Sequence, residues 1–456
     1  MLQAPNIALA LNDEQQLAYE GLLDFIDNGN HRDQYATLNG FAGTGKTYLL
    51  AKLVETLTRR RFIVAAIAHK AKEVIADKIR SRNVEPMTVA ALVAMKFDDE
   101  TGQFFEDPYE KELPIADADI VIIDEGSMIN ENTIKYIFQK KMHRTVVIFA
   151  GDKSQIRPIG NDKLNEFSPI FNNPNIFNLR NRVRQGEGNP ILEHMDYYKD
   201  LAIDPSPVIK SIDELLREDE ENDLGKIIYR NDMRQVTSQY LQYFQQAMEE
   251  QNTNLLKVVT YKNSSRHLIN ELVRSKLFDS PKEYEIGELM IMADTYRDEF
   301  TKVENAVEFV VNRVRPTIKY VGEYDFKAFL LEGVHKSLSG NQRHIEIPVL
   351  ARESQEKFTR LTNKLFADAK SEPPKSSSRA IKMREAWAAT RIFAKADYGY
   401  SVSAHRSQGS TYDKVIVNHT DMINNYSNDQ IKASLIYTAG TRARNEVVMV
   451  NKNFNL

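Results

Sequence analysis

The sequence predicts an α/β protein of two domains, each built on a parallel sheet, with a β-hairpin inserted in the first and a small barrel inserted in the second. Three observations carry that expectation. Apolar runs alternate with amphipathic helical stretches through the first half, the pattern of strands joined by crossover helices. A second set of short apolar runs appears late, after a long interruption. At 456 residues the chain has room for roughly two to four domains.

In the first half the expected strands are YATL (35–38), FIVAAIA (62–68), DIVIID (119–124) and TVVIFAG (145–151). Between the first two lies KTYLLAKLVETLTRRR, where Leu49, Leu50, Leu53, Val54 and Leu57 recur at helical spacing. The late strands are KVVTY (257–261), KVIVN (414–418) and EVVMV (446–450). Two short apolar or aromatic runs about the turn DETG predict a hairpin within 85–116. The first domain then comprises 1–84 and 117–185, and the second 186–290 and 395–456. Residues 291–394 form the second insertion, strand-like at first (NAVEFVVNRV, HIEIPVL), then charged and helical. KSEPPKSSSR (370–379) has the composition of a flexible loop.

Composition excludes several classes. Apolar residues make up 42% and charged residues 27%, with no biased tract, as in globular domains. No run approaches the ~18 apolar residues of a membrane span, and MLQAPNIALALNDEQQ lacks the basic start and apolar core of a signal peptide. With no cysteine, disulfides and cysteine-ligated zinc are excluded, and a reducing, cytoplasmic location is expected, the host cytoplasm if the chain is phage-encoded. The net charge of −4 argues against an all-over basic surface but leaves room for a narrow basic groove.

GFAGTGKT (40–47) fits G-x-x-x-x-G-K-[ST] between a strand and a helix. Gly40, Gly43, Thr44 and Gly45 form a loop whose N–H groups can face phosphates at a helix N-terminus; Lys46 reaches the β- and γ-phosphates, and Thr47 ligates Mg²⁺. DIVIIDEGSM supplies the partner carboxylates: Asp124 for Mg²⁺ and Glu125 as general base for an attacking water. That second carboxylate favours hydrolysis over phosphoryl transfer. Gln155, in FAGDKSQIRP after the next strand, can orient the water or sense the γ-phosphate; its alternative is a surface loop glutamine. Arginines from a second domain can clamp the transition-state charge bidentately, and Arg184 and Arg442, both at edges of the second sheet, are the candidates.

From here the residues resemble superfamily 1 helicases, in order along the chain. LNDEQQLAY (11–19) resembles the adenine-reading motif, with Gln15 at its glutamine. DEGSM and GDKSQIRP resemble the second and third motifs, and RNRVRQ (180–185) the fourth, with Arg184 at its arginine. SAHRSQGSTYD (403–413) resembles the fifth and LIYTAGTRAR (435–444) the sixth, with Arg442 after the threonine. The shapes around HRSQG and YTAGTRAR are most similar to the 5′→3′ branch that holds RecD and Dda, and length and motif spacing to its Dda-like members. The resemblance implies two RecA-like domains closing on ATP, with an SH3-like barrel as the second insertion. It adds Gln408, Gly409 and Tyr437 to the nucleotide contacts, Tyr437 stacking on adenine unless it is a core helix residue. Some positions depart from the branch's pattern: Lys262 replaces a threonine, Thr411 stands where an acidic residue is usual, and Thr88-Val-Ala retains only the threonine of Thr-x-His.

The same resemblance implies DNA contacts at His69, Lys70, Thr88, Asn263, Ser403 and His405; for each, a hydrogen bond within the protein is the alternative. It implies that the hairpin is a strand-separating pin whose tip carries Phe97, Phe104 or Phe105, with packing on the hairpin's own base as the alternative. The expected activity is ATP- and Mg²⁺-dependent 5′→3′ translocation on single-stranded DNA with duplex separation. Expected partners are single-stranded DNA, single-strand/duplex junctions and a single-strand-binding or replication protein; no membrane is expected, and the chain should be a monomer. An RNA helicase of the same superfamily and a nucleic-acid-stimulated ATPase switch stay open as alternatives.

Overall fold

A computed structural model describes residues 11–67, 83–98, 103–106, 113–158, 166–182, 188–204, 206, 219–337, 340–374, 376–424 and 428–451, with the backbone alone at 96–98 and 103–106. The chain divides into two compact units. One comprises Met1–Tyr229, Ser407–Thr411 and Val417–Asn451, the other Arg230–Arg406, Tyr412–Ile416 and Lys452–Leu456. Both units are α/β, and the architecture is that of two RecA-like domains.

The first unit is organised by a six-stranded sheet. α1 (Asp13–Asn28) leads into β1 (Ala36–Gly40), and α2 (Lys46–Thr56) follows. β2 (Phe62–Ala66) and β3 (Val84–Thr88) precede the short α3 (Val89–Leu92) and the hairpin of β4 (Met95–Asp98) and β5 (Gln103–Glu106). β6 (Ile120–Asp124), α4 (Glu131–Lys140), β7 (Val146–Gly151) and β8 (Ile176–Leu179) complete the set. The strand order is β3-β2-β6-β7-β1-β8, and all pairings are parallel. Alternate strand residues feed two separate cores, because both faces of a parallel sheet are covered. Leu38, Val64, Ile122 and Ile148 join Leu22, Leu49 and Leu53 on one face. Ile63, Val121, Ile123 and Phe149 join Leu92, Ile129 and Ile137 on the other. Each such fully buried aliphatic contributes roughly 1.5–3 kcal/mol of transfer free energy. The register sets β1, β6 and β7 side by side, so the phosphate loop, Asp124 and Gly151 emerge at one carboxyl edge, where open α/β sheets bind ligands. The unit continues with α5 (Pro190–Ile203), capped by Asn189, and the antiparallel pair β9 (Glu220–Asn222) and β10 (Gly225–Arg230).

In the second unit, α6 (Met233–Gln239) and α7 (Leu241–Glu249) lead to β11 (Leu256–Thr260) and α8 (Asn263–Leu277). The insertion is a five-stranded antiparallel sheet. Its strands are β12 (Leu289–Met292), β15 (Glu308–Val321), β16 (Tyr324–Lys336), β17 (Gln342–Leu350) and β18 (Ala396–Tyr398), in the order β17-β16-β15-β12-β18. A small ribbon of β13 (Tyr296–Arg297) and β14 (Lys302–Val303) lies between β12 and β15 in the chain. The β15–β16 hairpin turns on two residues, with Gly322 at φ 59°. α9 (Gln355–Ser371) and α10 (Ser377–Thr390) pack against its end through Leu361, Ala389 and Phe326. The segment expected to be a flexible loop is the short turn between these helices. Glu372 accepts from Ser378 (2.8 Å) and Lys382 (2.5 Å), and Ser376 caps α10, so side-chain bonds hold the two helices at this turn.

Buried charge fastens this insertion to the rest of its unit. Lys257 on β11 lies 3.3 Å from Glu308 on β15, both essentially without solvent contact. Arg274 on α8 pairs with buried Glu288 and lies 3.8 Å over the Tyr398 ring, while Arg266 meets Asp397 at 2.9 Å. The chain then forms β19 (Ser401–Ser403), parallel to β11, and the single-turn α11 (Ala404–Ser407). β20 (Tyr412–Asn418) begins in the second unit and ends in the first. α12 (His419–Ile423), α13 (Asp429–Gly440) and β21 (Ala443–Val450) finish the first unit, with α13 against α5 and β21 beside β10.

Candidate nucleotide site and nucleic-acid contacts

The loop after β1 has the backbone that its glycines predict. Gly43 and Gly45 both sit at φ 84°, where a Cβ would be strained. Lys46 lies along the loop, donating to Gly40 O (2.5 Å) and Phe41 O (3.3 Å). Gln15 is buried in the first turn of α1. Its Nε2 donates to Thr44 O (3.1 Å), and its Oε1 accepts the Asn12 N–H in a capping box. The expected adenine-reading glutamine is thus fastened to the phosphate loop.

β6 ends in Asp124, whose Oδ1 accepts the Glu125 N–H at 2.9 Å. Glu125 itself is left-handed (φ 55°, ψ 38°), a conformation that costs a non-glycine residue about 1 kcal/mol and is typical of functional turns. After β7, the Asp152 carboxylate accepts the Ser154 N–H, and this turn presents Gln155, only 4% exposed. With its amide nitrogen facing Glu125, Gln155 donates to Glu125 Oε2 (2.9 Å) and accepts from Arg442 Nη2 (3.2 Å). Arg442 also approaches Glu125 Oε1 at 3.8 Å and donates its Nε–H to Thr438 O (3.0 Å). Three of the residues singled out from sequence therefore form one cluster: base candidate, amide and guanidinium. Arg442 belongs to the same compact unit as the loop.

Tyr437 is a correction. Its ring is fully buried in α13 and offers no face to an adenine. Its hydroxyl instead donates to Asp152 Oδ2 (2.8 Å) and accepts the Ala42 N–H (3.1 Å). Burial pushes the phenol well above its ordinary pKa. Burial likewise raises Asp152, against the opposing charge of Lys46 and the hydrogen bonds from Tyr437 and Ser154. Sequence reasoning passed over Asp152, although an acid ending the strand after DIVIID carries the same signal as Asp124.

Gln408 is 1% exposed, and neither of its amide atoms has a hydrogen-bond partner among the described residues. An orphaned buried amide costs about 1–3 kcal/mol, so it marks a place where a polar ligand would be welcome. Gly409 beside it is at φ 69°, and Ser410 O lies 3.5 Å from Arg442 Nη1.

The expected DNA-contacting residues fare unevenly. The hydroxyl of Thr88 accepts the Ala91 N–H (3.1 Å) and caps α3, and the residue is 7% exposed. Ser403 is buried, its hydroxyl 3.4 Å from the Arg406 N–H. Asn263 is exposed at the start of α8. His405 is half-buried 6.1 Å from the Tyr261 ring, and desolvation lowers its pKa to about 4. In the hairpin the backbones of Phe97 and Phe104 pair directly, as do Lys96 and Phe105. His69, Lys70, Arg184 and the side chains of Phe97, Phe104 and Phe105 lie outside the described residues.

The AAA domain family matches residues 10–198, and the UvrD-like helicase C-terminal domain family matches 398–450. The chain is 23% identical over 469 residues to the ATP-dependent DNA helicase dda of Enterobacteria phage T4, covering 96% of this chain and 99% of that one. It is also 23% identical over 493 residues to an uncharacterised protein of Acanthamoeba polyphaga mimivirus, covering 94% and 97%. A Pif1 helicase structure, from work on DNA unwinding at forked double-stranded DNA, is similar in fold with a TM-score of 0.53, at 15% identity over 98% of this chain and 93% of that one. Together with the ordered motifs from residue 11 to residue 444, these likenesses make the chain similar to the Dda-like superfamily 1 helicases.

Proposed function

We propose that the protein is an ATP-driven DNA helicase that translocates 5′→3′ on single strands and separates duplex with the β4–β5 hairpin. The Glu125–Gln155–Arg442 cluster beside the phosphate loop carries the reading. ATP is the substrate, its phosphates cradled by Gly40–Thr47 and by the buried amide of Gln408. Glu125 takes the proton of the attacking water, and Gln155 orients that water while holding Arg442 in place. Arg442 compensates charge that develops on the γ-phosphoryl oxygens, and Arg184 is proposed as a second such arginine. The Thr47 hydroxyl and Asp124 carboxylate are hard oxygen donors that fit Mg²⁺, which keeps several waters and phosphate oxygens in its shell and so needs few protein ligands. Bound there, Mg²⁺ would neutralise phosphate charge.

Loss of the γ-phosphate would release the Arg442 guanidinium, and this converts hydrolysis into movement of the DNA-tracking surface. That surface comprises His69, Lys70, Thr88, Asn263, Ser403 and His405. His405, neutral at pH 7, would hydrogen-bond phosphate without adding charge, which suits a strand that must slide.

The test uses duplexes with a 5′ or a 3′ single-stranded tail, with ATPase measured with and without poly(dT) or poly(U). Unwinding of only the 5′-tailed duplex, with poly(dT) stimulating hydrolysis, is expected. A rate indifferent to DNA would reduce the protein to a switch, and preference for poly(U) would make RNA the substrate. Lys46→Ala should abolish hydrolysis, and Glu125→Gln should keep ATP binding while stopping turnover.

A further inference from the structure

We infer that the Tyr437 hydroxyl is a positioning group for Arg442, tying α13 to the phosphate loop and so setting where the guanidinium stands. The inference rests on the reading of Arg442 given above. Both hydrogen-bonding capacities of this fully buried phenol are spent on parts of the site: its proton on Asp152 after β7, its oxygen on the Ala42 N–H of the loop. The next residue makes a further attachment, as the Thr438 hydroxyl accepts the Ile156 N–H at 3.2 Å. The carbonyl of Thr438 then accepts from Arg442 Nε, one turn later. From Tyr437 to Arg442, the end of α13 is thus held by directional bonds to the turn that also presents Gln155, and it terminates in the guanidinium.

A phenylalanine would fill the same buried volume but leave the end of α13 attached to this turn through the Thr438 hydroxyl, without its bond to the loop. Placement errors near 1 Å in a reacting constellation cost on the order of a hundredfold in rate, so a partial loss of register should be visible in turnover. Ground-state binding of ATP depends on the loop itself, which keeps its own glycines and lysine. Removal of the hydroxyl should therefore act on kcat and spare KM.

The experiment is a double-mutant cycle of Tyr437→Phe and Arg442→Lys in the full chain, read as DNA-saturated ATPase. Tyr437→Phe should lower kcat about tenfold, between no effect and the cost of full misplacement, with KM for ATP within about twofold. Arg442→Lys should lower kcat by roughly a thousandfold, and the double variant should be no slower than Arg442→Lys alone. A normal kcat for Tyr437→Phe, or losses that multiply in the double variant, would overturn the inference while leaving the arginine reading intact. A normal kcat for Arg442→Lys would overturn both. If Tyr437→Phe does not fold, Asp152→Asn enters the same cycle; it weakens the phenol's anchor without removing the phenol, and the same coupling to Arg442 is expected and the same additivity refutes it.

Discussion

Gln155→Ala offers the sharpest probe of the site, because that amide stands between two groups with opposite charge. Its removal deletes a 2.9 Å bond to Glu125 and a 3.2 Å bond from Arg442. Hydrogen bonds to charged partners contribute about 1.5–3 kcal/mol each. The two charges are already 3.8 Å apart, however, and can close into a direct ion pair that recovers much of that. Global stability should therefore fall by only about 1–2 kcal/mol. Activity should fall further, since the collapsed pair takes both the base and the arginine away from the reacting phosphate. A positioned base contributes about 10²–10⁴ and an arginine finger 10³–10⁵. On the proposed reading Gln155 orients both without replacing either, which sets its loss near the bottom of those ranges, about a hundredfold in kcat or ~2.7 kcal/mol. Steady-state ATPase with saturating single-stranded DNA, paired with urea unfolding, measures both quantities. A kcat within threefold (~0.65 kcal/mol) of the parent would show that the amide bridge is incidental to hydrolysis.

Other outcomes follow from buried and paired groups elsewhere. His419 is fully buried, and desolvation lowers its pKa to about 3, so it charges only on unfolding. Its folded pKa lies below the unfolded value of about 6.5, so stability is lost as pH falls from there towards 3, with a slope up to ~1.4 kcal/mol per pH unit; His419→Gln should flatten the pH dependence of urea midpoints in that window. Arg274→Met leaves Glu288 buried without its cation and should cost about 3–5 kcal/mol, whereas adding Glu288→Leu should recover most of the loss in thermal melts. Phe97→Ala or Phe104→Ala should spare DNA-stimulated ATPase and impair strand separation in a fork assay; parallel loss of both activities would end the pin assignment.

The central strands of the first sheet and its loop were legible in the sequence because FIVAA, IVIID and VVIFAG are short apolar runs, whereas the edge strands VEPMT and IFNL mix polar residues and were missed. Gly40 and Asp124 stand at the carboxyl ends of β1 and β6, where Gly40 also lets Thr44 and Leu179 pack closely and Asp124 accepts the Glu125 N–H. Gln155 and Arg442 were legible as residues through their motifs, but the bonds between them were not, since they join segments almost three hundred positions apart. Tyr437 misled for a related reason: its place in the sixth motif suggests stacking on adenine, and only the packing of α13 reveals a buried ring whose hydroxyl bonds Asp152 and the loop. Thr88 stood at a place where a phosphate contact and a helix cap call for the same side chain, and the cap is what the local backbone uses. The Ser- and Pro-rich stretch at 370–379 reads as loop by composition, yet Glu372 gathers its neighbours into a tight helical hairpin.

The left-handed backbone at Glu125 has a consequence for how the protein would respond to selection. Glu125→Gly would relax the φ of 55°, at the cost of a floppier unfolded chain, and Glu125→Asn would sit there more comfortably than glutamate. That relief of about 1 kcal/mol is outweighed by the bond from Gln155 and the nearby charge of buried Arg442, so a heat-based screen that scores only the fold would still retain the carboxylate proposed as the base. Thermostable variants recovered without an activity filter should therefore not be enriched for changes at this position.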